Sequence, residues 1–376
     1  MDWNDWRREF PITERLVHLN HAGVAPLSRR VVAAVTTFVT EATTVDAATQ
    51  RRWSERCEQV RAGFARLVGA QADEIAFVKN TSEGLSLVAA GVEWRPGDNV
   101  IAVDGEYPSN VYPWFGLRRC GVETRLVRPV RGRVRADDVQ ALANSRTRVV
   151  AVSFVDWSSG ARTDLPSIGE LCHARGIIFC VDGIQGVGAV QLDVERAGID
   201  CLAVGGHKWL LAPEGHGCLF VSRRVADRIA SVLHGWKSVT DADTYLPYHF
   251  NPRPDAAKFE PGSPSVLSTY ALGAAIDLLL EVGPDRIERR LSDLTDRLGA
   301  GLRARGAEII SPWGVGERSG IVVFRLGNDP QRLCAEIIRR GFIVRVRSGG
   351  IRVAPHFYNN EDDIDRLLVA LDQQLA

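Results

Sequence analysis

Short apolar runs alternate with longer amphipathic stretches through the middle of the chain. Glu74–Val78, Asn99–Val103, Glu123–Val127, Arg148–Val155, Gly176–Gly183, Cys201–Gly206 and Gly217–Ser222 read as strands. Gly84–Val92 and Pro166–Gly176 carry helical spacing. Continuous apolar strands interleaved with helices predict a largely parallel sheet covered on both faces. After about residue 270 the pattern changes. Tyr270–Gly306 reads as a long helical stretch, followed by the apolar run in Arg318–Leu326 and a helix over Asp329–Gly341. A hairpin-like Phe342–His356 and a last helix, Glu361–Leu375, follow. The expectation is an α/β protein: a large domain with a mixed, mainly parallel sheet, and a smaller α+β domain after it.

Composition narrows this picture without changing it. The chain has 376 residues, 45% hydrophobic and 24% charged, which suits a globular protein with a large core. Lys+Arg and Asp+Glu are both 46, so no global field draws the protein to nucleic acid or to a membrane surface. No apolar run approaches the ~20 residues a bilayer crossing needs. The first twenty residues lack the basic-then-apolar order of a signal peptide. The 7 cysteines are scattered, with no CxxC pair. They read as small buried side chains in a reducing cytoplasm, not as disulfides or a metal site.

Candidate chemistry lies where strands end. Lys208 stands in "GGHKWLLAP", between paired glycines and an apolar run. A lysine in a cramped, partly apolar loop loses hydration, its pKa falls, and it becomes a nucleophile toward aldehydes. The competing reading is a lysine that snorkels to the surface. Asp182 directly follows an apolar strand, where a carboxylate is costly unless a cation meets it. A helix cap is its alternative. Thr81, Ser82 and Gly84 follow another strand and open a helix, offering hydroxyls and free N–H groups to an anion, or serving as an ordinary N-cap. A lysine, a buried acid and a phosphate cradle together suit pyridoxal 5′-phosphate.

The motifs "NTSEG", "EYPSN", "VDGIQGVG", "GGHKW", "FEPGSPS", "RSGIVVF" and "IRVAPHFYNNEDDIDRL" occur in one order along the chain. With them the chain resembles the class V aminotransferase and cysteine desulfurase branch of the fold-type I PLP enzymes, over nearly its whole length. The resemblance implies that Lys208 is the Schiff-base lysine, with His207 beside it. It makes Asp182 the partner of the pyridine nitrogen and Gln185 the partner of the ring 3-oxygen. Thr81 and Ser82 match the phosphate turn. Ser263 matches a phosphate contact drawn from the other subunit, which implies a homodimer with shared sites. Arg352 matches the arginine that binds the substrate α-carboxylate, a task for a bidentate guanidinium. His21 lies in the segment that closes over the site in the family, with a structural histidine as the other reading. The implied division is an N-terminal segment 1–30 near the site, a large PLP-binding domain 31–270 and a small α+β domain made of 271–376 with the N-terminal segment. Three positions depart from the pattern. Gly205 replaces a Ser or Thr, Tyr107 takes the place of the ring-stacking His, and Trp157 that of a desulfurase Asn. Core packing competes with a pocket role for Tyr107 and Trp157.

The resemblance leaves β-elimination, transamination, epimerisation and desulfuration open. Desulfuration needs a reactive cysteine just before the carboxylate-binding arginine, and "VRVRSGGIRV" has none. Cys334 lies in a helix, where a thiol is usually buried and inert. The isopenicillin N epimerase-like and cysteine C–S lyase branch is the nearest match, so the expected reaction is C–S cleavage of an S-substituted cysteine. Aminotransferase and epimerase are its alternatives. A dehydrogenase is disfavoured, because Gly183–Gly188 runs GxxGxG and not GxGxxG. A non-catalytic binding protein is disfavoured by Lys208, Asp182 and Arg352 occurring together.

Overall fold

The computed structural model describes residues 2–372. A short strand near the N-terminus, β1 (Val17–His18), is followed by the strands of the main sheet: β2 (Ile75–Val78), β3 (Asn99–Val103), β4 (Glu123–Val127), β5 (Thr147–Ser153), β6 (Ile178–Asp182), β7 (Cys201–Gly205) and β8 (Gly217–Val221). The sheet order is β2-β8-β7-β6-β5-β3-β4. All neighbours are parallel except β8, which runs antiparallel to both β2 and β7. Strands β6, β7 and β8 are buried at every position, which is why they read as unbroken apolar runs.

Helices cover both faces. On one side, Arg29–Glu41, Ala47–Val68 and Val266–Val282 close over the sheet, and on the other the helix Thr81–Gly91 does so. Residues Ala271 to Val282 belong to the large-sheet core, so its packing continues past residue 270. The expected single helical stretch from Tyr270 is two helices, Val266–Val282 and Pro284–Ala304, meeting at 77°. Gly283, at φ 95°, takes a conformation other residues avoid, and Pro284 then opens the next helix without needing its missing N–H. Among the described residues, no single helix is long and apolar enough to cross a membrane.

The remaining strands are β9 (Glu308–Ile309), β10 (Val322–Arg325), β11 (Phe342–Ile343), β12 (Arg345–Arg347) and β13 (Gly350–Val353). The order β12-β13-β10-β9 makes a small antiparallel sheet, packed against Pro284–Ala304, Pro330–Arg339 and Glu361–Asp372. The end of the expected last helix, beyond residue 372, lies outside the described residues. Strand β1 pairs in parallel with β11, Val17 opposite Phe342, and Asn20 bridges to Ala354. The N-terminal segment is thereby stitched to the small sheet.

Candidate active site

Strands β2, β5, β6 and β7 run in one direction, so their carboxyl ends share one edge of the sheet, where open α/β sheets gather ligands. A cavity of about 370 Å³ opens there. The buried Asp182, Lys208 and Gln185 form its floor, and Thr81, Ser82, His207, Tyr107, Trp157 and Arg352 also line it. Ser263, expected to reach the partner subunit's site and not this one, is exposed. One residue expected at this site is not brought to it. His21 is fully buried behind the cavity, with Nδ1 on the Ala354 carbonyl at 2.8 Å and Nε2 on the Tyr358 hydroxyl at 2.7 Å. Both its ring nitrogens are committed, which corrects the expectation that it reaches substrate.

The turn after β7 explains why a lysine sits among apolar neighbours. Leu211 N–H closes on the Lys208 carbonyl at 3.0 Å and Ala212 N–H on Gly206 at 2.9 Å. Trp209, Leu210 and Leu211 are buried, leaving Lys208 only 9% exposed at the cavity floor. Burial pushes its pKa down to about 8; Asp182 opposes the shift, while Arg352 and Arg347 add to it. Asp182 is pushed up to about 6 by burial, against the Ile184 N–H that bonds Oδ1 at 2.9 Å and the charge of Lys208. The lysine is partly free base at neutral pH, and the carboxyl has one oxygen held by backbone and the other uncommitted among the described residues.

The helix Thr81–Gly91 starts at the cavity wall. Asn80 caps it by accepting from Glu83 N–H at 2.9 Å. The Thr81 hydroxyl accepts from Gly205 N–H at 2.9 Å, so its own proton remains to be donated. Ser82 and Ser109 share a hydroxyl bond of 2.7 Å beside it. A Cβ on Gly205 would come within 3.2 Å of Ile184 and 3.3 Å of the Thr81 hydroxyl. A side chain at Gly205 would press on both, so the glycine leaves Thr81 room to close on the strand without displacement. Helix-end N–H groups and two or three hydroxyls make an anion cradle.

Gln185 is anchored at both ends of its amide. Its Nε2 donates to Ala22 O at 3.0 Å and its Oε1 accepts from Trp209 Nε1 at 2.9 Å, which leaves one N–H toward the cavity. Arg352, also in the lining, is 2% exposed. It donates to the Trp157 carbonyl at 2.8 Å and to Asn20 Oδ1 at 3.4 Å, and its Nε has no partner among the described residues. Trp157 is pinned by Nε1 to Gly105 O at 3.1 Å and meets Tyr107 edge-on at 5.6 Å. Both aromatics therefore face the cavity and do not fill the core.

Sequence reasoning missed Glu106, His356 and Arg347. Glu106 accepts from Ser153 N–H at 2.8 Å and Ser153 Oγ–H at 2.6 Å. Its carboxyl is shielded from water, which with the nearby Asp182 charge pushes its pKa up to about 8. His356 touches the Trp209 carbonyl from below. Glu106 had one legible signal, an acid between a strand end and the aromatic Tyr107.

A family model described as "Aminotransferase class-V" matches residues 17–367. The chain belongs to the class V aminotransferase family. As a member it is a pyridoxal phosphate-dependent enzyme acting on amino acids. It is 30% identical to a "Probable cysteine desulfurase" of Methanothermobacter thermautotrophicus, over 99% of this chain and 98% of that one. It is 29% identical to an "Uncharacterized aminotransferase" of Schizosaccharomyces pombe, over 84% of this chain and 81% of that one. The apo cysteine desulfurase of Thermococcus onnurineus superposes with TM-score 0.89 at 24% identity, covering 98% and 97% of the two chains. A C-DES mutant with glycine covalently linked to its PLP superposes with TM-score 0.90 at 21% identity, covering 97% and 98%. These neighbours share the fold-type I architecture. The class V site described above fits its cofactor. An amine at the cavity floor can hold the aldehyde, a buried carboxyl can face the pyridine nitrogen, and the Thr81 cradle can take the phosphate.

Proposed function

We propose that the protein breaks the Cβ–S bond of a cysteine-derived amino acid by β-elimination. Pyridoxal phosphate, when bound, supplies the electron sink that acidifies the substrate Cα–H. Lys208 would hold the cofactor, and its amine would take the Cα proton. Asp182 would keep the pyridine nitrogen protonated, and Gln185 would donate to the ring 3-oxygen. Thr81 and Ser82 would donate to the phosphate, with His207 alongside. Arg352 clamps the α-carboxylate, and Tyr107 and Trp157 flank the sulfur substituent. The Cα–H and Cβ–S bonds break, the sulfur leaves as a thiol, and water converts the remaining fragment to pyruvate and ammonia. No oxidant or reductant is required.

The observation that carries this reading is the chemistry of the cavity lining, which offers a base, a carboxylate clamp and an aromatic wall but no thiol. A cysteine desulfurase is the second reading, favoured by the names of the similar proteins. It needs a sulfur acceptor, and Cys334 is buried with its Sγ toward Val344 O at 3.9 Å. Burial also raises its pKa, away from the reactive thiolate.

The same reading includes a homodimer in which Ser263 completes the partner's phosphate site. Exposed Tyr245, Leu246, Tyr248 and Phe250 support it, because so much apolar surface on one segment favours being covered. Free cysteines, most of them buried, are compatible with a reducing, cytoplasmic setting.

Product analysis decides between the readings. The purified holoenzyme is given L-cysteine, S-carboxymethyl-L-cysteine, or an amino donor with a keto acid. Thiol, pyruvate and ammonia in equal amounts establish elimination. Alanine with protein-bound or released sulfur establishes desulfuration. Amino transfer to the keto acid without thiol release establishes an aminotransferase.

A further inference from the structure

The hairpin β12–β13 carries like charges where a folded protein has reason to avoid them. Arg345 lies directly across from Arg352, and Arg347 is two positions further along the same face of β12. None of the three bonds a carboxylate among the described residues. Arg345 and Arg347 donate to the carbonyls of Val344 and Val346, and Arg352 to Trp157 and Asn20. Arg352 feels the others: burial, then Arg347 and Arg345, pull its pKa down to about 10. A substrate α-carboxylate accounts for Arg352 and leaves Arg347 unmatched.

The Arg347 side chain is exposed, but the hairpin that carries it is held in place. The hairpin turn passes through Ser348 and Gly349, both at positive φ, and Ser348 Oγ donates to Ser158 O at 3.2 Å, next to Trp157. The Arg347 guanidinium then lies 5.9 Å from the Trp157 ring centroid, inside the cavity lining. Contacts link these residues through the cavity lining. Lys208 Nζ is 5.5 Å from the Tyr107 ring centroid, Tyr107 meets Trp157 at 5.6 Å, and Trp157 lies against Arg347. A substituent leaving the reacting carbon near Lys208 and running along the aromatics ends at a guanidinium.

We propose that Arg347 binds a second anionic group at the far end of the substrate, so that the substrate class is an S-substituted cysteine whose substituent ends in a carboxylate or sulfonate. This rests on the C–S cleavage reading. Trp157 contacts the apolar middle of the substituent, and Arg352 and Arg347 take the two ends. Free cysteine has nothing to offer Arg347.

The test separates binding from turnover. In L-2-aminoadipate, its 6-amide and L-lysine, a methylene replaces the sulfur of the carboxymethyl, carbamoylmethyl and aminoethyl thioethers of cysteine, so they bind without a sulfur leaving group. Their dissociation constants are measured by calorimetry on the holoenzyme, on Arg347→Gln and on Arg347→Lys. A charge-assisted contact predicts that wild type prefers aminoadipate to its amide by about tenfold or more, with lysine weaker still. Arg347→Gln should bring the first two within about twofold, and Arg347→Lys should keep part of the preference. Equal affinity for acid and amide in wild type overturns the proposal. So does a parallel loss for all three ligands in Arg347→Gln, which would place Arg347 on the shared α-carboxylate. Thiol release from S-carboxymethyl-L-cysteine is measured separately. If it is absent while the aminoadipate preference and its loss in Arg347→Gln stand, the C–S reading fails and the anion subsite survives.

Discussion

His356 donates its Nε2–H to the carbonyl of Trp209, at 3.1 Å. The direction is fixed by the other ring nitrogen, because Nδ1 accepts from Phe357 N–H at 2.8 Å and so carries no proton. The ring is neutral and of one tautomer, wedged beneath the residue that follows Lys208. The small-sheet side of the molecule thus supports the lysine turn through this donor.

Replacing His356 by Phe fills the space and leaves the Trp209 carbonyl unpaired. An unsatisfied buried carbonyl costs about 1–3 kcal/mol. The urea midpoint should fall accordingly, and PLP should dissociate faster. His356→Gln, which can still donate, should recover part of both. Unchanged midpoint and PLP retention in His356→Phe would show that the contact carries no weight.

Stability should fall in acid because of buried histidines. His18, His216 and His356 are each lowered to about 4, chiefly by burial, and His21 is lowered as well. Above pH 6.5 each is neutral folded and unfolded, so its contribution is fully present. Between 6.5 and about 4 the unfolded chain takes up a proton that the folded chain refuses, and stability drops as pH falls. A shift of that size is worth about 3 kcal/mol per histidine. Urea unfolding at pH 7.5, 5.5 and 4.5 should show the steepest loss within this window. A flat profile from 6.5 to 4.5 contradicts the burial account.

Lys208 should capture PLP at neutral pH faster than an ordinary lysine. With its pKa near 8, about a tenth is free amine at pH 7, against less than one part in a thousand at 10.5. The rate of cofactor uptake by the apoprotein should rise with pH and level off above about 8. Borohydride should then fix the cofactor on the peptide holding Lys208. Fixation on Lys237 or Lys258 refutes the assignment.

Asp182→Asn should retain PLP, since phosphate and lysine contacts are untouched, yet turn over at least about 100-fold more slowly. An amide in that buried place cannot favour a protonated pyridine nitrogen by charge. Turnover and cofactor content are measured on the same preparation. Wild-type turnover in the variant would make Asp182 a structural residue.

Strands β6 and β7 were legible to within two residues, because burial on both faces leaves nothing polar in Ile178–Val181 or Cys201–Val204. Lys208, Asp182 and Thr81 were legible for the opposite reason: polar groups stand out at the end of such runs. The helix Ala47–Val68 went unread, although Trp53, Cys57, Val60, Phe64 and Leu67 recur at helical spacing. Arg and Glu between them dilute the signal, and the helix gains its stability from packing. Gly283–Pro284 announced a break that a count of apolar positions overlooks. His356 could not be found locally, since its partner is 147 positions away. The same holds for His21, whose role depends on Tyr358, 337 positions away.

The pairing of β1 with β11 sets the order in which a newly made chain can mature. Val17 waits for Phe342, and His21 for Ala354 and Tyr358, while Ala22 supplies the acceptor that anchors Gln185. The ribosome releases residues 17–21 first and those partners only after more than three hundred further residues, whereas Gln185, the partner of Ala22, follows 163 positions on. Until then the main sheet can assemble, but β1 has no edge to join. Loop closure over such a span is slow, and long-range pairing lags local structure. The pocket is therefore completed as a late event of biogenesis, and the cofactor enters a nearly finished fold.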